Sequence, residues 1–311
     1  MAGGTQRMYK QRIHATSALQ KVFNAQELIA ASRISAARAR MLAAMPFADA
    51  VNRAVAAVAL HGHIDHALTT PRSDTSRVAV LVVSADRGMA GSFSASIIRQ
   101  ADVVMDQLVA QGRQPVLYAA GSRAVSHYQY HDRQLAGSWV YGSDVPQAEH
   151  GEKIADALLA AFTNPDPQLG VSAIHVVYTQ YLSMVTQAPR VVTILPLAVE
   201  QDTEVGASAG QAGESRSPGP RLDPVYDFEP SAAEVLDVLL PQYVRSRLYS
   251  YLADSAVAEL ASRQKAMHSA TQNANDLISK FTRLANEARQ NEITNEITEI
   301  VSGADALAQD K

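Results

Sequence analysis

The chain has 311 residues, 47% of them hydrophobic and 19% charged, a composition that excludes a disordered polymer and fits one large folded domain or two ordinary ones. A net charge of -4 gives no global electrostatic case for nucleic acid. The absence of cysteine excludes disulfides and thiolate metal sites.

In chain order, the first element is a long helix. Thr5 to Leu60 contains no Gly and a single Pro, Pro46, so a helix of about 80 Å is expected, with a kink or break at that proline. Ile13, Val22, Ile29 and Ala36 line one side, amid many alanines that let a second helix approach closely. Met1 to Gln26 carries Arg7, Lys10, Arg12 and Lys21 but no acid, as a transit peptide does. The helical pattern continues through Glu27 to Arg40 without a cleavage-like break, which argues against one. No run approaches the 18 apolar residues of a membrane span, so no direct membrane insertion is expected.

His61, His63, Asp65 and His66 follow in the segment HGHIDH, which fits the ligand pattern of dinuclear zinc hydrolases. Those sites follow a strand, whereas this segment ends an Ala-rich helix. A polar helix exit is therefore the favoured reading, and a zinc-dependent hydrolase is kept as an alternative.

Between Arg77 and Leu197 the pattern changes. Val78–Val83, Pro115–Ala120, Ala173–Thr179 and Val191–Pro196 read as strands, and Ser92–Gln111 and Glu149–Phe162 as helices. The alternation predicts a mainly parallel sheet in a small α/β domain inserted between long helices. The segment SADRGMAGSF, Ser84 to Phe93, lies between strand and helix, where phosphate-binding turns lie. Its spacing fits neither dinucleotide nor P-loop patterns, and a structural turn is favoured. Residues 201–224 are dominated by Gly, Ser, Ala, Pro and acid, the composition of a surface excursion. Ser231 and Glu234 are spaced as a capping box, and Pro241 is expected to kink the helix that follows.

Gln242 to Ser302 has neither Gly nor Pro and predicts a helix of roughly 90 Å. Leu260, Met267, Ala274, Phe281 and Ala288 recur every seven residues, with Ala270, Leu277 and Leu284 between them, a seam that calls for a partner helix. The two end helices most simply pair with each other, antiparallel. After Ala288 the phase slips to Ile293, Ile297, Ile300 and Ala304, implying a change of winding or of neighbour. A coiled-coil scaffold with an inserted domain accounts for these patterns without any chemistry.

The chain ends in ITNEITEIVSGADA, Ile293 to Ala306, with Arg289-Gln290 just before it. This closely resembles the carboxyl-terminal signature of the gamma subunit of F-type ATP synthases. Arg12-Ile13, the Lys21–Ser32 run with LIAASRI, the SADRGMAGSF turn and RQKAMHSATQNA, Arg263 to Ala274, resemble further segments of that family. Gln26, where many members have Met, is similar to actinobacterial-like members. Leu19-Gln20 and Phe23-Asn24 depart from the usual Lys-rich run, and the 201–224 excursion is longer than usual.

The resemblance implies a mixed α+β and α/β fold: a long antiparallel coiled coil of residues 1–61 and 231–311, an inserted Rossmann-like α/β domain over 75–200, and a loop and foot region over 201–230. It implies a non-catalytic central-stalk rotor with no cofactor or metal of its own, a peripheral subunit on the cytoplasmic face of a bacterial plasma membrane. The implied partners are three alpha and three beta subunits, epsilon and the c-ring. Arg33, Arg289, Gln290, Thr294 and Glu296 are implied to contact beta. Tyr226, Phe228 and Glu229 are implied to form the foot near epsilon and the c-ring. Ile297, Ile300, Val301 and Ala304 are expected to form a tip turning in an apolar sleeve.

Overall fold

The computed structural model describes residues 3–62, 72–197 and 228–309. Ten elements follow in order: α1 (Gly3–Gly62), β1 (Arg77–Val83), α2 (Phe93–Ala110), β2 (Gln114–Ala120), α3 (Ser122–Tyr130), β3 (Gly137–Trp139), α4 (Ala148–Thr163), β4 (Ala173–Tyr181), β5 (Gln187–Leu195) and α5 (Ala232–Gln309). They divide into two compact units. One contains residues 1–35, 89–91 and 260–311; the other contains 36–88 and 92–259.

In the first unit α1 and α5 pair antiparallel. Tyr9 stacks on Phe281 at 6.3 Å between centroids, Gln20 Nε2 donates to Asn275 Oδ1 at 3.1 Å, and Glu27 Oε1 lies 2.9 Å from His268 Nδ1. Numbers rise on one helix as they fall on the other. The less exposed side chains of α1 include Tyr9, Ile13, Thr16, Gln20, Phe23, Glu27, Ala30 and Ile34, at alternating spacings of four and three. That is the heptad spacing of a two-helix seam.

This corrects part of the expected seam. Ile13 does face inward, but Val22 and Ile29 are 49% and 44% exposed and Ala36 is exposed too; Phe23 and Ala30 hold the inner positions. The apolar pattern misleads because several inner positions of α1 carry polar Thr16, Gln20 and Glu27, the last two with partners on α5. On α5, Leu260, Met267, Ala274, Phe281 and Ala288 do turn inward. Leu277 does not, being 44% exposed; Thr271, Ile278 and Ala285 form the second inner row.

The second unit is built on one sheet, with strand order β3-β2-β1-β4-β5. The first four strands are mutually parallel and β5 runs antiparallel to β4. Both faces of β1 are covered, as its unbroken apolar run requires. Ala79, Leu81 and Val83 face α4, the end of α1 and the start of α5, through Val55, Ile154, Leu158 and Leu240. Val78, Val80 and Val82 face α2 and α3, through Ile97, Ala101, Ala124 and Tyr128. The inserted sheet agrees with expectation, while α3 and β3 are additional elements.

Neither proline breaks its helix: Pro46 lies inside α1 and Pro241 inside α5. Pro46 removes one N–H but leaves the remaining backbone ladder to be held by packing, with Ala48, Val51 and Val55 buried just beyond it. Glu234 N donates to Ser231 Oγ at 3.3 Å, capping α5. The expectation that no run approaches a membrane span needs correction, though that of no direct insertion does not. A stretch of α1 within Gly4–Val58 reaches a mean hydropathy of 1.2, long and apolar enough by composition to cross a bilayer. Alanine supplies much of that apolar character, and the larger apolar residues Val51, Val55 and Val58 are buried in the core of the sheet unit.

Candidate functional site

The pairing ends before α5 does. Ala288 and Glu292 are the last partly covered positions, and from Ile293 to Ser302 every side chain is exposed. The phase slip therefore marks the point where α5 leaves the seam, and the helix itself continues to Gln309. Ile293, Ile297, Ile300 and Val301 are 45%, 56%, 71% and 54% exposed. Large aliphatic side chains clustered on an exposed helix favour a partner, because burying each is worth about 1.5–3 kcal/mol. Ala304 lies on the same helix, though its side chain is outside the described residues.

Just before this segment stand the polar candidates. Arg289, Gln290, Thr294 and Glu296 are all exposed. Thr294 Oγ1 donates to the Gln290 carbonyl at 2.9 Å, so that hydroxyl satisfies its own helix and retains oxygen lone pairs that can accept. Arg289 and Glu296 are seven residues apart, hence on one side of the helix two turns apart. Gln290 also closes a shallow hollow of about 590 Å³ along α5, with Arg283, Asn286 and Glu287 among its walls.

Arg33 is not brought to this cluster. The pairing of Glu27 with His268 sets Arg33 opposite α5 near residue 262, which at the helical rise is about 40 Å from Arg289. Phe228 and Glu229 belong to the other unit; Phe228 packs against the larger core and Glu229 is exposed. Tyr226 lies outside the described residues.

The strand-to-helix turn after β1 meets a different need. The first three N–H groups of α3 are all satisfied by it: Ser122 N donates to Asp86 Oδ1 at 2.7 Å, Arg123 N to the Ala85 carbonyl at 3.0 Å, and Ala124 N to Ser84 Oγ at 2.9 Å. Asp86 Oδ2 also accepts from Ser143 N at 2.9 Å and Tyr141 N at 3.3 Å. A carboxylate of the chain thus sits at the amino-terminal end of α3, where the helix dipole favours an anion, while the helix that the turn itself opens is α2. Gly121, at φ +102°, lets the backbone pass so close to Ser84 that a Cβ would collide with the Ser84 carbonyl. The Asp86 contacts were not legible in the sequence, since α3 and the 141–143 segment were not predicted beside the turn.

Two further groups are shifted by burial. The Asp254 carboxyl, which accepts from Tyr181 N at 2.9 Å, is pushed up to about 6, chiefly by desolvation. Burial likewise lowers the His175 imidazole. Of the zinc motif, the backbone of His61 lies in the last turn of α1, while His63, Asp65 and His66 lie outside the described residues. Among the described residues no group of three or more His, Asp or Glu can hold a metal.

A sequence profile of the family described as ATP synthase matches residues 5–307. The chain belongs to the gamma-chain family of ATP synthases. It is 53% identical to the ATP synthase gamma chain of Beutenbergia cavernae over 98% of this chain and 99% of that one. The gamma chain of Pseudarthrobacter chlorophenolicus is 46% identical over the same shares. The fold resembles a chain of the Euglena gracilis mitochondrial ATP synthase OSCP/F1/c-ring assembly, with a TM-score of 0.64 at 12% identity, covering 98% of this chain and 95% of that chain. It also resembles a chain of the Tetrahymena thermophila central stalk and c-ring, with a TM-score of 0.53 at 17% identity, over 80% and 99%. The role is the family's, a central-stalk rotor subunit of the ATPase complex. Neither the zinc hydrolase nor the free scaffold gains support from these relatives.

Proposed function

We propose that the paired helices α1 and α5 are the torque-bearing part of the rotor, and that the carboxyl-terminal segment of α5 turns inside a ring of three alpha and three beta subunits. The observation that carries this is the unpaired run from Ile293 to Ser302, a helix whose apolar residues are left for another molecule to cover. In this reading Ile297, Ile300, Val301 and Ala304 are the bearing tip. Aliphatic contacts are non-directional, so a sleeve around them keeps them from water at every angle of rotation.

Arg289, Gln290, Thr294 and Glu296 have the opposite physics. Charge-assisted and amide hydrogen bonds are directional, so they hold one angular position against a beta subunit and release it at another. Arg33 contacts the ring at a separate level of the shaft. Tyr226, Phe228 and Glu229 form the foot toward epsilon and the c-ring, where ion flow enters as rotation. The chain carries no catalytic site of its own; Asp86, in the turn after β1, serves the fold by capping α3. The complex sits at the cytoplasmic face of a bacterial plasma membrane, with this subunit peripheral to the bilayer.

Reconstitution with alpha and beta tests the assignment. The intact chain should restore coupled ATP hydrolysis, and Arg289→Ala/Gln290→Ala should lower turnover by about tenfold while retaining assembly, roughly 1.4 kcal/mol of lost coupling. Full turnover in that variant would remove these residues from the torque path.

A further inference from the structure

The sheet unit carries a second concave surface that the rotor role does not use. At the amino-terminal edge of the strands a hollow of about 510 Å³ is lined by Arg77, Arg113, Gln114 and Gln134, with Leu117 and Leu135 among its apolar walls. Arg77 opens β1 and pairs in register with Gln114, the first residue of β2; Arg113 immediately precedes that strand, and both arginines line the hollow. No acidic residue lines the hollow.

Among the described residues neither Arg77 nor Arg113 forms an ion pair. The Arg77 Nε is buried without any hydrogen-bond acceptor. Arg113 spends one donor on the neutral Ser172 Oγ, at 3.2 Å. Nearby Arg72 is different: it holds both Asp74 oxygens, at 3.0 and 2.6 Å, and the carbonyls of Phe162 and Asn164. The same fold thus gives one arginine acceptors on all three of its nitrogens, while the two arginines that line the hollow have no anionic partner among the described residues.

Cations that line a hollow without an anionic partner favour an anion there, which gives both of them a charge-assisted hydrogen-bond acceptor. Guanidinium forks match the oxygen spacing of phosphate, and two such cations on one hollow favour a dianion over a single carboxylate. The volume suits a small molecule. We propose that this hollow binds a phosphate-bearing ligand, gripped by Arg77 and Arg113 and flanked by the Gln114 and Gln134 amides. A soluble phosphorylated metabolite and a phospholipid headgroup share this chemistry.

The test uses the purified full-length chain, titrated calorimetrically with inorganic diphosphate and sedimented with phosphatidylglycerol vesicles. The variants are Arg77→Gln/Arg113→Gln and, at an exposed position, Gln134→Glu. Saturable diphosphate binding that weakens at least tenfold in both variants, with unchanged circular dichroism, is the expected result for a soluble ligand. Vesicle binding that is competed by diphosphate and lost in both variants is the expected result for a headgroup. Absence of both forms of binding in the folded wild-type chain overturns the proposal. So does binding that survives Gln134→Glu undiminished, a change that leaves the arginines and the fold intact.

Discussion

His268 Nδ1 lies 2.9 Å from Glu27 Oε1 across the antiparallel pair, a hydrogen-bonding contact from an exposed side chain of α5 to a partly covered one of α1. Together with the Gln20 to Asn275 bond it fixes which face of α1 meets α5. A one-residue rotation of α1 would bring Val22 and Ile29 inward, as hydrophobicity alone suggests, and would lose both contacts.

The phase of the seam is directly testable. Ala30 is 1% exposed, whereas its neighbour Ile29 is 44% exposed. Ala30→Leu should therefore overpack the pair and destabilise the chain by about 1–3 kcal/mol. Ile29→Ala should cost no more than about 0.5 kcal/mol. Thermal unfolding followed by circular dichroism compares them, and the reverse order would place Ile29 in the seam.

Asp86 should be a structural carboxylate. Asp86→Ala leaves the N–H groups of Ser122, Tyr141 and Ser143 without their acceptor, at a cost of about 2–4 kcal/mol. Urea unfolding would read this as a lowered midpoint with an unchanged slope. A midpoint equal to wild type would show that water replaces the carboxylate freely.

Asp254 sets a pH dependence. Its folded-state value of about 6 lies above the ordinary carboxylate value of 3.8, so the folded chain binds more protons than the unfolded chain between these values. Stability from this group is fully present below about pH 4 and is lost as pH rises through 6. Asp254→Asn keeps an oxygen to accept from Tyr181 N–H and removes the charge. It should stabilise the chain at pH 7 by about 1–2 kcal/mol, a value discounted for partial solvent screening, and by little at pH 4. Equal effects at both pH values would dissociate the shift from the burial of this carboxyl.

The tip should matter to assembly and not to folding. Ile300 and Val301 are exposed, so Ile300→Asp/Val301→Asp should leave the unfolding of the isolated chain within about 0.5 kcal/mol of wild type. The same variant should impair assembly with alpha and beta, or turnover, by tenfold or more. Wild-type turnover with intact assembly would refute the apolar sleeve.

Much of this organisation is legible in the sequence, for physical reasons. Long runs without Gly or Pro announce α1 and α5, and unbroken Val-rich stretches announce β1 and β4, because periodicity reports burial. The phase of α1 was not legible, since Gln20 and Glu27 sit inside and their partners Asn275 and His268 are some 250 residues away. α3 was missed because its buried stripe consists chiefly of Ala124 and Tyr128. Asp86 reads as a turn acid until the fold brings Ser122, Tyr141 and Ser143 to it. Of the candidate surface, Arg289 to Glu296 followed from resemblance; their exposure beyond the end of the pairing followed only from the structure.

The central claim, that α5 transmits torque, is tested most directly by watching the chain turn. With the alpha and beta ring immobilised, a probe attached through Leu169→Cys, an exposed position in a chain without other cysteines, can be followed during ATP hydrolysis. Unidirectional, stepwise rotation of the probe that requires ATP is the predicted result. Sustained ATP hydrolysis with the probe stationary would contradict the account.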